Sequence, residues 1–372
     1  MRSGRVLVVG AGLAGARCAE ALRALGYDGS IRVVGAEPRA PYERPALSKE
    51  LLAGTRSDVS LRPDGWWAER GIELSLGRVV RHVDGGRRTA DGEPWDALVL
   101  ATGARARRLP FAPPGVLVLR TLADAEALRR RLRPGARLVV VGAGVLGCEV
   151  ASTAVGLGVD VTLVEADAAP LARVLGPVVG RVLADRLAAA GVDLRLGARV
   201  DRLEAGRVDL ADGSSFPADA VLLAVGAEPV GDLLGAPGEV ATDACGRTAV
   251  PAVYACGDVA SWFRPSLGRA LRVEHWTSAA GQAAAVASAI VGEPRPYDDP
   301  PYFWSEQAGL RLQHVGHADP DAVVRLEGGP DAFVARYLDR RGHLAAVLAA
   351  NRPDAVAAAR RELAETRVAL AA

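Results

Sequence analysis

The strongest constraint on this fold is a repeat. VVGAGLAG at residues 8–15 recurs as VVGAGVLG at 140–147. Each copy follows an apolar run, Val6 to Val9 and Leu138 to Val141, and each opens a helical pattern. A second β-branched run then closes on a carboxylate, SIRVVGAE at Glu37 and VDVTLVE at Glu165. Strand, glycine-rich turn, helix, strand and acid, twice over, is the Rossmann-like pattern. In the first copy Gly10 permits the tight turn, Gly12 lets a pyrophosphate approach the backbone, and Gly15 lets helix and strand pack closely. The helix start at Leu13 and Ala14 offers free N–H groups and a positive dipole end to phosphate. Glu37 is placed to accept ribose hydroxyls. Gly142, Gly144 and Gly147 repeat this logic, with Val145 and Leu146 opening the helix and Glu165 as the acid. A carboxylate there welcomes a free 2′-hydroxyl and repels a 2′-phosphate, which favours NAD over NADP; a preference set by other loops is the alternative. Two such sites in one chain point to FAD in one and NADH in the other.

The remaining patterns fit two interleaved Rossmann-like dinucleotide-binding domains plus a C-terminal α+β domain. WDALVLATGARARRLP (95–110) reads as a buried strand leaving the first domain, and LADAEALRRRL (122–132) as a helix entering the second. ADAVLLAVGAEP (218–229) is a second strand running into glycine, and AVYACGDVA (252–260) a third. The expected division is 1–104 with 227–300 as the FAD-binding domain, 105–226 as the NAD-binding domain, and 301–372 as the last. Alternating text there, DAFVARYL and HLAAVLAAN, predicts an antiparallel sheet, followed by a helix at 353–367.

Composition removes several classes of function. A formal net charge of +1 gives no whole-molecule reason to bind nucleic acid or an anionic membrane. Cys18, Cys148, Cys245 and Cys256 form no close pair, which argues against a zinc site, a dithiol motif and a secreted disulfide framework, and for a cytoplasmic location. Cys148 reads as a small buried hydrophobe. His314 and His317 have metal-like spacing, but in strand-like text their side chains point to opposite faces, so no metal is expected. Phe303 and Trp304 read as packing residues. The apolar start is broken by three glycines and reads as folded structure rather than a signal peptide, and no stretch has the length and apolarity of a membrane span.

One residue stands apart. Lys49, in PYERPALSKELL, is the single lysine beside forty-four arginines. An ammonium is compact where a guanidinium is a rigid fork, so the two are not interchangeable.

PYERPALSK, LATGARARRLP, LRTLADAEALR, GVLGCEVA, ACGDVA, RVEHWTSA and YFWSEQ occur in this order over nearly the whole chain. In these motifs the sequence resembles the FAD-dependent ferredoxin/rubredoxin reductases that serve cytochrome P450 and aromatic-ring dioxygenase systems. The resemblance implies a glutathione-reductase-like fold, and a reductase passing electrons from NADH through FAD to a small iron–sulfur ferredoxin. Relatives that use disulfide or peroxide chemistry carry a cysteine pair or a single cysteine where this chain has RPALSK. The resemblance further implies that Lys49 lies beside the reactive flavin nitrogen, paired with Glu149 next to the nicotinamide. Ala14 and Glu37 would contact the ADP part of FAD, Val80 the adenine, Asp258 the ribityl chain and Trp276 the flavin pyrimidine end. Arg44, Pro45, Ala101, Thr102, Gly103, Arg120, Arg173, Gly226, Gly257, Glu274 and His275 complete the implied cofactor-binding set. Arg264, Arg269, Arg272 and Arg311 flank these motifs and are the arginines expected to meet an acidic ferredoxin. The expected state is a monomer or weak dimer. Two rivals remain: a reductase for rubredoxin, a haem domain or a quinone, and an apoptosis-inducing-factor-like flavoprotein whose NADH-linked conformation outweighs turnover.

Overall fold

The computed structural model of the protein describes residues 3–235, 237–319 and 322–371. It groups into two compact units: residues 1–43, 60–105 and 228–301 form the first, and 44–59, 106–227 and 302–372 the second.

The first unit is built on a five-stranded parallel sheet, ordered Val253–Ala255, Ala97–Leu100, Arg5–Val9, Ser30–Gly35, Ile72–Leu76. Val8 pairs with Val33 on one side and Val99 on the other. The central strands read as unbroken apolar runs because both of their faces are covered, as parallel sheets require. Helix Leu13–Ala24 buries a stripe of small residues, Ala14, Gly15, Ala16, Cys18 and Ala19, ending in Leu22. Helix Trp276–Val291, rich in alanine and serine, packs against it; small side chains let the two backbones come close.

The turn between the first strand and its helix can only be glycine at two points. Gly10 has φ +119°, and a Cβ there would stand 2.1 Å from the carbonyl oxygen of Ala101. A Cβ on Gly15 would stand 1.9 Å from the carbonyl oxygen of Gly10.

The second unit repeats the design with the order Asp193–Leu196, Asp160–Glu165, Arg137–Val141, Ala220–Leu223, Leu117–Val118, all parallel. Helix Val145–Gly156 follows the second glycine-rich turn. Helix Ala172–Ala189 bends at Gly176 (φ 74°, ψ 166°), just before Pro177. The bend frees the carbonyl of Leu175, which accepts the Tyr337 hydroxyl at 2.8 Å. Five strands of the C-terminal region form the anticipated antiparallel sheet, ordered Tyr302–Gln307, Leu310–Gly316, Leu344–Ala350, Ala332–Leu338, Val323–Gly329. The C-terminal helix begins where expected but runs longer, over Pro353–Ala371, with Val356, Ala359 and Leu363 buried.

The two acids of the repeat are not placed alike. Glu165 ends its strand, whereas strand Ser30–Gly35 stops two residues before Glu37.

Candidate functional site

In the first unit, Gly12 is the N-cap of helix Leu13–Ala24, with φ −81° and ψ −170°. Nothing lies within 4 Å of where its Cβ would be. Neither strain nor packing inside the chain therefore demands glycine at this point. The helix start has no side-chain cap and no acid in its first turn. Its orphan N–H groups are left for an outside anion, the arrangement that suits a dinucleotide pyrophosphate. Gly257 (φ +79°) lies against the same helix start, since a Cβ on it would stand 2.8 Å from that of Ala14. Its N–H donates to the side-chain amide oxygen Oε1 of the buried Gln282 at 2.8 Å. Ala101 donates its N–H to Val9, and the Thr102 hydroxyl and Gly103 carbonyl are tied to Val230. Thus Gly10–Gly15, Ala101–Gly103 and Gly257–Asp258 converge on one end of the sheet. At that end a doubly wound fold binds its ligand.

Around this cluster, Glu37 accepts the Tyr42 hydroxyl at 2.6 Å. Val80 is buried within the apolar core of the unit. Glu274 pairs with Arg272, His275 is the N-cap of helix Trp276–Val291, and the Arg17 guanidinium stacks 5.6 Å from the centroid of the Trp276 ring.

In the second unit, Gly144 matches Gly12: N-cap, φ −73°, no side-chain cap, no first-turn acid, and open space at its Cβ position. Gly142 and Gly147 instead meet backbone, at 2.5 Å from Ala224 and 1.9 Å from Gly142 respectively. Glu165 is locked at this mouth: its carboxylate accepts the N–H of Ala143 at 2.7 Å and of Asp167 at 2.9 Å. Arg173 is exposed and ion-paired with Asp167 at 2.7 Å. Gly226 (φ +103°) accepts the Arg107 N–H after strand Ala220–Leu223.

The same unit holds Lys49 and Glu149 together. The Lys49 ammonium lies 2.8 Å from Glu149 Oε2, with the lysine side chain 13% and the glutamate side chain 5% exposed. The ammonium also donates to the Pro45 carbonyl at 3.2 Å. The short 3₁₀ helix Arg44–Ser48 sets this geometry; Arg44 donates to the Arg120 carbonyl at 2.5 Å, and Thr121 with Asp124 reciprocally caps helix Leu122–Arg129. Two partners of Glu149 escaped the sequence reading. Ser48 donates to its Oε2 at 2.6 Å and Ser305 to its Oε1 at 2.7 Å. Ser48 adjoins Lys49 and Ser305 lies in YFWSEQ, so both stood in motifs already singled out, but nothing local says where a serine hydroxyl points.

One expected docking residue is corrected. Arg264 is fully buried, not on a surface. Its guanidinium donates to the Asp299 carbonyl and lies 5.0 Å from the Tyr297 ring centroid, while among the described residues Nε and Nη2 have no hydrogen-bond partner. Its aliphatic stem and stacked head fill the core beside Tyr297, which charge counting does not foresee. Arg272 is committed to Glu239 and Glu274. Arg269 and Arg311 are exposed.

His314 is buried and stacked on Phe303 (5.1 Å between centroids), and Trp304 stacks on Tyr302. Among the described residues, no group of three or more His, Cys, Asp or Glu is placed to hold a metal, and no helix is long and apolar enough to cross a membrane.

The four cysteines are free and buried. Burial pushes the Cys256 thiol up to about 12, and that of Cys148 well up, so both stay protonated and unreactive. A maleimide reagent at neutral pH is expected to label none of the four in the folded protein and all of them after unfolding, as counted by intact mass. Rapid labelling of the folded chain would contradict this burial.

Comparison with known proteins agrees with this geometry. Residues 4–283 match the family described as pyridine nucleotide-disulphide oxidoreductase, and residues 302–372 match the reductase C-terminal family. The biphenyl dioxygenase system ferredoxin–NAD(+) reductase component of Paraburkholderia xenovorans (strain LB400) is 39% identical over 390 residues, covering 99% of this chain and 94% of that protein. The rubredoxin–NAD(+) reductase of Ectopseudomonas oleovorans is 38% identical over 331 residues, covering 84% and 86%. A chain of the covalent putidaredoxin reductase–putidaredoxin complex superposes with a TM-score of 0.92 at 33% identity, covering 96% and 92%. The chain belongs to the pyridine nucleotide-disulphide oxidoreductase family, whose cofactors are FAD and NADH, and within it groups with the ferredoxin and rubredoxin reductases.

Proposed function

We propose that this oxidoreductase takes electrons from NADH and delivers them, through FAD, to a small iron–sulfur ferredoxin that supplies a P450 or dioxygenase. The observation that carries this reading is the buried Lys49–Glu149 pair, whose lysine closes the RPALSK segment. Bound FAD supplies the step from two-electron donor to one-electron acceptor. The protein's part is position and charge. The N-termini of helices Leu13–Ala24 and Val145–Gly156 hold pyrophosphates; Glu37 and Glu165 hold riboses; Asp258 and Trp276 orient the flavin. Lys49 offers a positive charge that favours an electron-rich ring, and Glu149 balances it so that the pair is neutral before reaction. The remaining residues of the implied binding set are proposed to line these two sites.

The exposed Arg269 and Arg311 are proposed to meet an acidic ferredoxin. Cytoplasmic location, a monomer or weak dimer, and the division 1–104 with 227–300, 105–226 and 301–372 belong to the same proposal. The test is steady-state reduction of a [2Fe–2S] ferredoxin by NADH, with ferricyanide as control acceptor. Ferredoxin reduction at a kcat of about 1 per second or more supports the reading. Ferricyanide turnover without ferredoxin turnover sinks it. Rubredoxin is the second acceptor to try, because a rubredoxin–NAD(+) reductase is among the relatives.

Coenzyme choice gives a separate expectation. Glu165 places a fixed negative charge at the second helix mouth. The Glu165→Ser variant should narrow the NADH-over-NADPH ratio of kcat/KM about tenfold, the size of one charge-assisted hydrogen bond. An unchanged ratio assigns the preference to other loops.

A further inference from the structure

Glu149 sits mid-helix with 4% exposure, where an ionised carboxylate is costly unless each oxygen is met. Lys49 meets Oε2. Its ammonium and the Ser48 hydroxyl both converge on Oε2, at 2.8 Å and 2.6 Å. Oε1 is met by the Ser305 hydroxyl, from strand Tyr302–Gln307. Along that strand Phe303, Ser305 and Gln307 are buried while Glu306 is exposed. A fully buried serine on such a face normally gives way to an apolar residue. Here its oxygen also accepts the Gln307 amide at 3.2 Å, so the chain Gln307 to Ser305 to Glu149 runs donor to acceptor throughout, and each bond polarises the next. The attachment is reinforced on either side: Thr153 donates to the Ser48 carbonyl at 2.8 Å, and Ala308 donates its N–H to the Ser152 hydroxyl at 3.0 Å.

Other charged or titratable groups on the surrounding elements are already engaged or lie elsewhere. Cys148 is kept protonated by burial. Glu165 is taken by two backbone N–H groups, and Arg44 by the Arg120 carbonyl. Glu50 and Glu306 are exposed. Ser305 is thus the donor found on the second oxygen.

We propose that Ser305 is a positioning residue: delivered by the C-terminal sheet, it holds the Glu149 carboxylate with Oε2 turned towards Lys49, so the C-terminal segment completes the hydride-transfer site. This rests on the reading of Lys49 and Glu149 given under Proposed function. It predicts more than stability, because the orientation of a carboxylate has its own signature.

Ser305→Thr and Ser305→Val have the same shape and differ in the hydroxyl. Both crowd the strand equally, so any difference between them reports the hydrogen bond. Two readouts are needed. One is the rate of flavin reduction by NADH under anaerobic conditions, set against the equilibrium Kd for NAD⁺. The other is the carboxylate stretching band of Glu149 in the infrared, identified by difference from Glu149→Gln. Ser305→Val should lower the reduction rate about tenfold, leave the NAD⁺ Kd within about twofold and shift the band; Ser305→Thr should recover rate and band. If the two variants match each other in both readouts, the proposal is overturned. If the Thr variant does not fold, Ser305→Ala replaces it, judged against wild type by the same band: a band left at the wild-type position overturns the proposal. Failure of the functional reading looks different, because wild-type flavin would then not respond to NADH at all.

Discussion

Replacing Gly12 by alanine should leave the protein folded and strip it of flavin. The backbone at Gly12 (φ −81°) is one that alanine adopts without strain, and the added methyl would enter empty space. The stability cost is that of a poorer N-cap, about 1 kcal/mol or less. The flavin cost is far larger, because that empty space is where a pyrophosphate must come within van der Waals distance of the backbone. We expect the Gly12→Ala apoprotein to melt within a few degrees of wild-type apoprotein and its flavin content to fall at least about tenfold. Apoproteins are compared because bound flavin itself raises Tm. Gly15→Ala should do the opposite. Its methyl would sit 1.9 Å from the Gly10 carbonyl oxygen, so helix and strand must separate, at a cost above about 4 kcal/mol. Full flavin occupancy in Gly12→Ala would show that this helix start is not the pyrophosphate site.

The second large effect is expected at Lys49. Lys49→Met should slow reduction by NADH about a hundredfold, the scale lost when one preorganised charge is removed from a reacting centre. It should also destabilise the fold by about 3 kcal/mol, because Glu149 is left buried without its cation. These two consequences separate in a double variant. Lys49→Met with Glu149→Gln should regain most of the stability, since the orphan charge is gone, yet remain slow. Lys49→Arg should stay slow as well. The slot is bounded by the Pro45 carbonyl and Glu149 Oε2, at 3.2 Å and 2.8 Å from a single nitrogen, and a planar fork does not fit a point contact. A double variant that recovers full speed would leave the pair a purely structural role.

The strand, turn and helix at residues 8–15 and 140–147 were legible because the backbone demands there are local. Gly10 and Gly15 each meet backbone that leaves no room for a Cβ, and a five-residue spacing suffices to show it. The parallel sheets followed from the apolar runs beside those turns. Lys49 was legible as an anomaly of composition, and its pairing with Glu149 came only through resemblance. The serines on Glu149 were not legible. Ser48 and Ser305 lie 101 and 156 residues from it, and no periodicity links a hydroxyl to a carboxylate across such distances. Arg264 failed for a related reason: arginine is assigned to the surface by charge, while stacking on Tyr297 and a carbonyl bond to Asp299 keep it inside. Residues 44–59 group with 106–227 and 302–372 although the chain around them belongs to the first unit. No local signal marks such an excursion, because the partners that hold the segment are about a hundred residues further along the chain.

The most direct test of the central claim is the visible absorption spectrum of the purified protein, recorded before and after anaerobic addition of NADH and again after a [2Fe–2S] ferredoxin. The account predicts a flavin spectrum that bleaches with NADH, far less with an equal amount of NADPH, and returns as the ferredoxin is reduced. A protein that carries no flavin and binds none when FAD is supplied would contradict it at the root, since both glycine-rich helix starts would then have been misread.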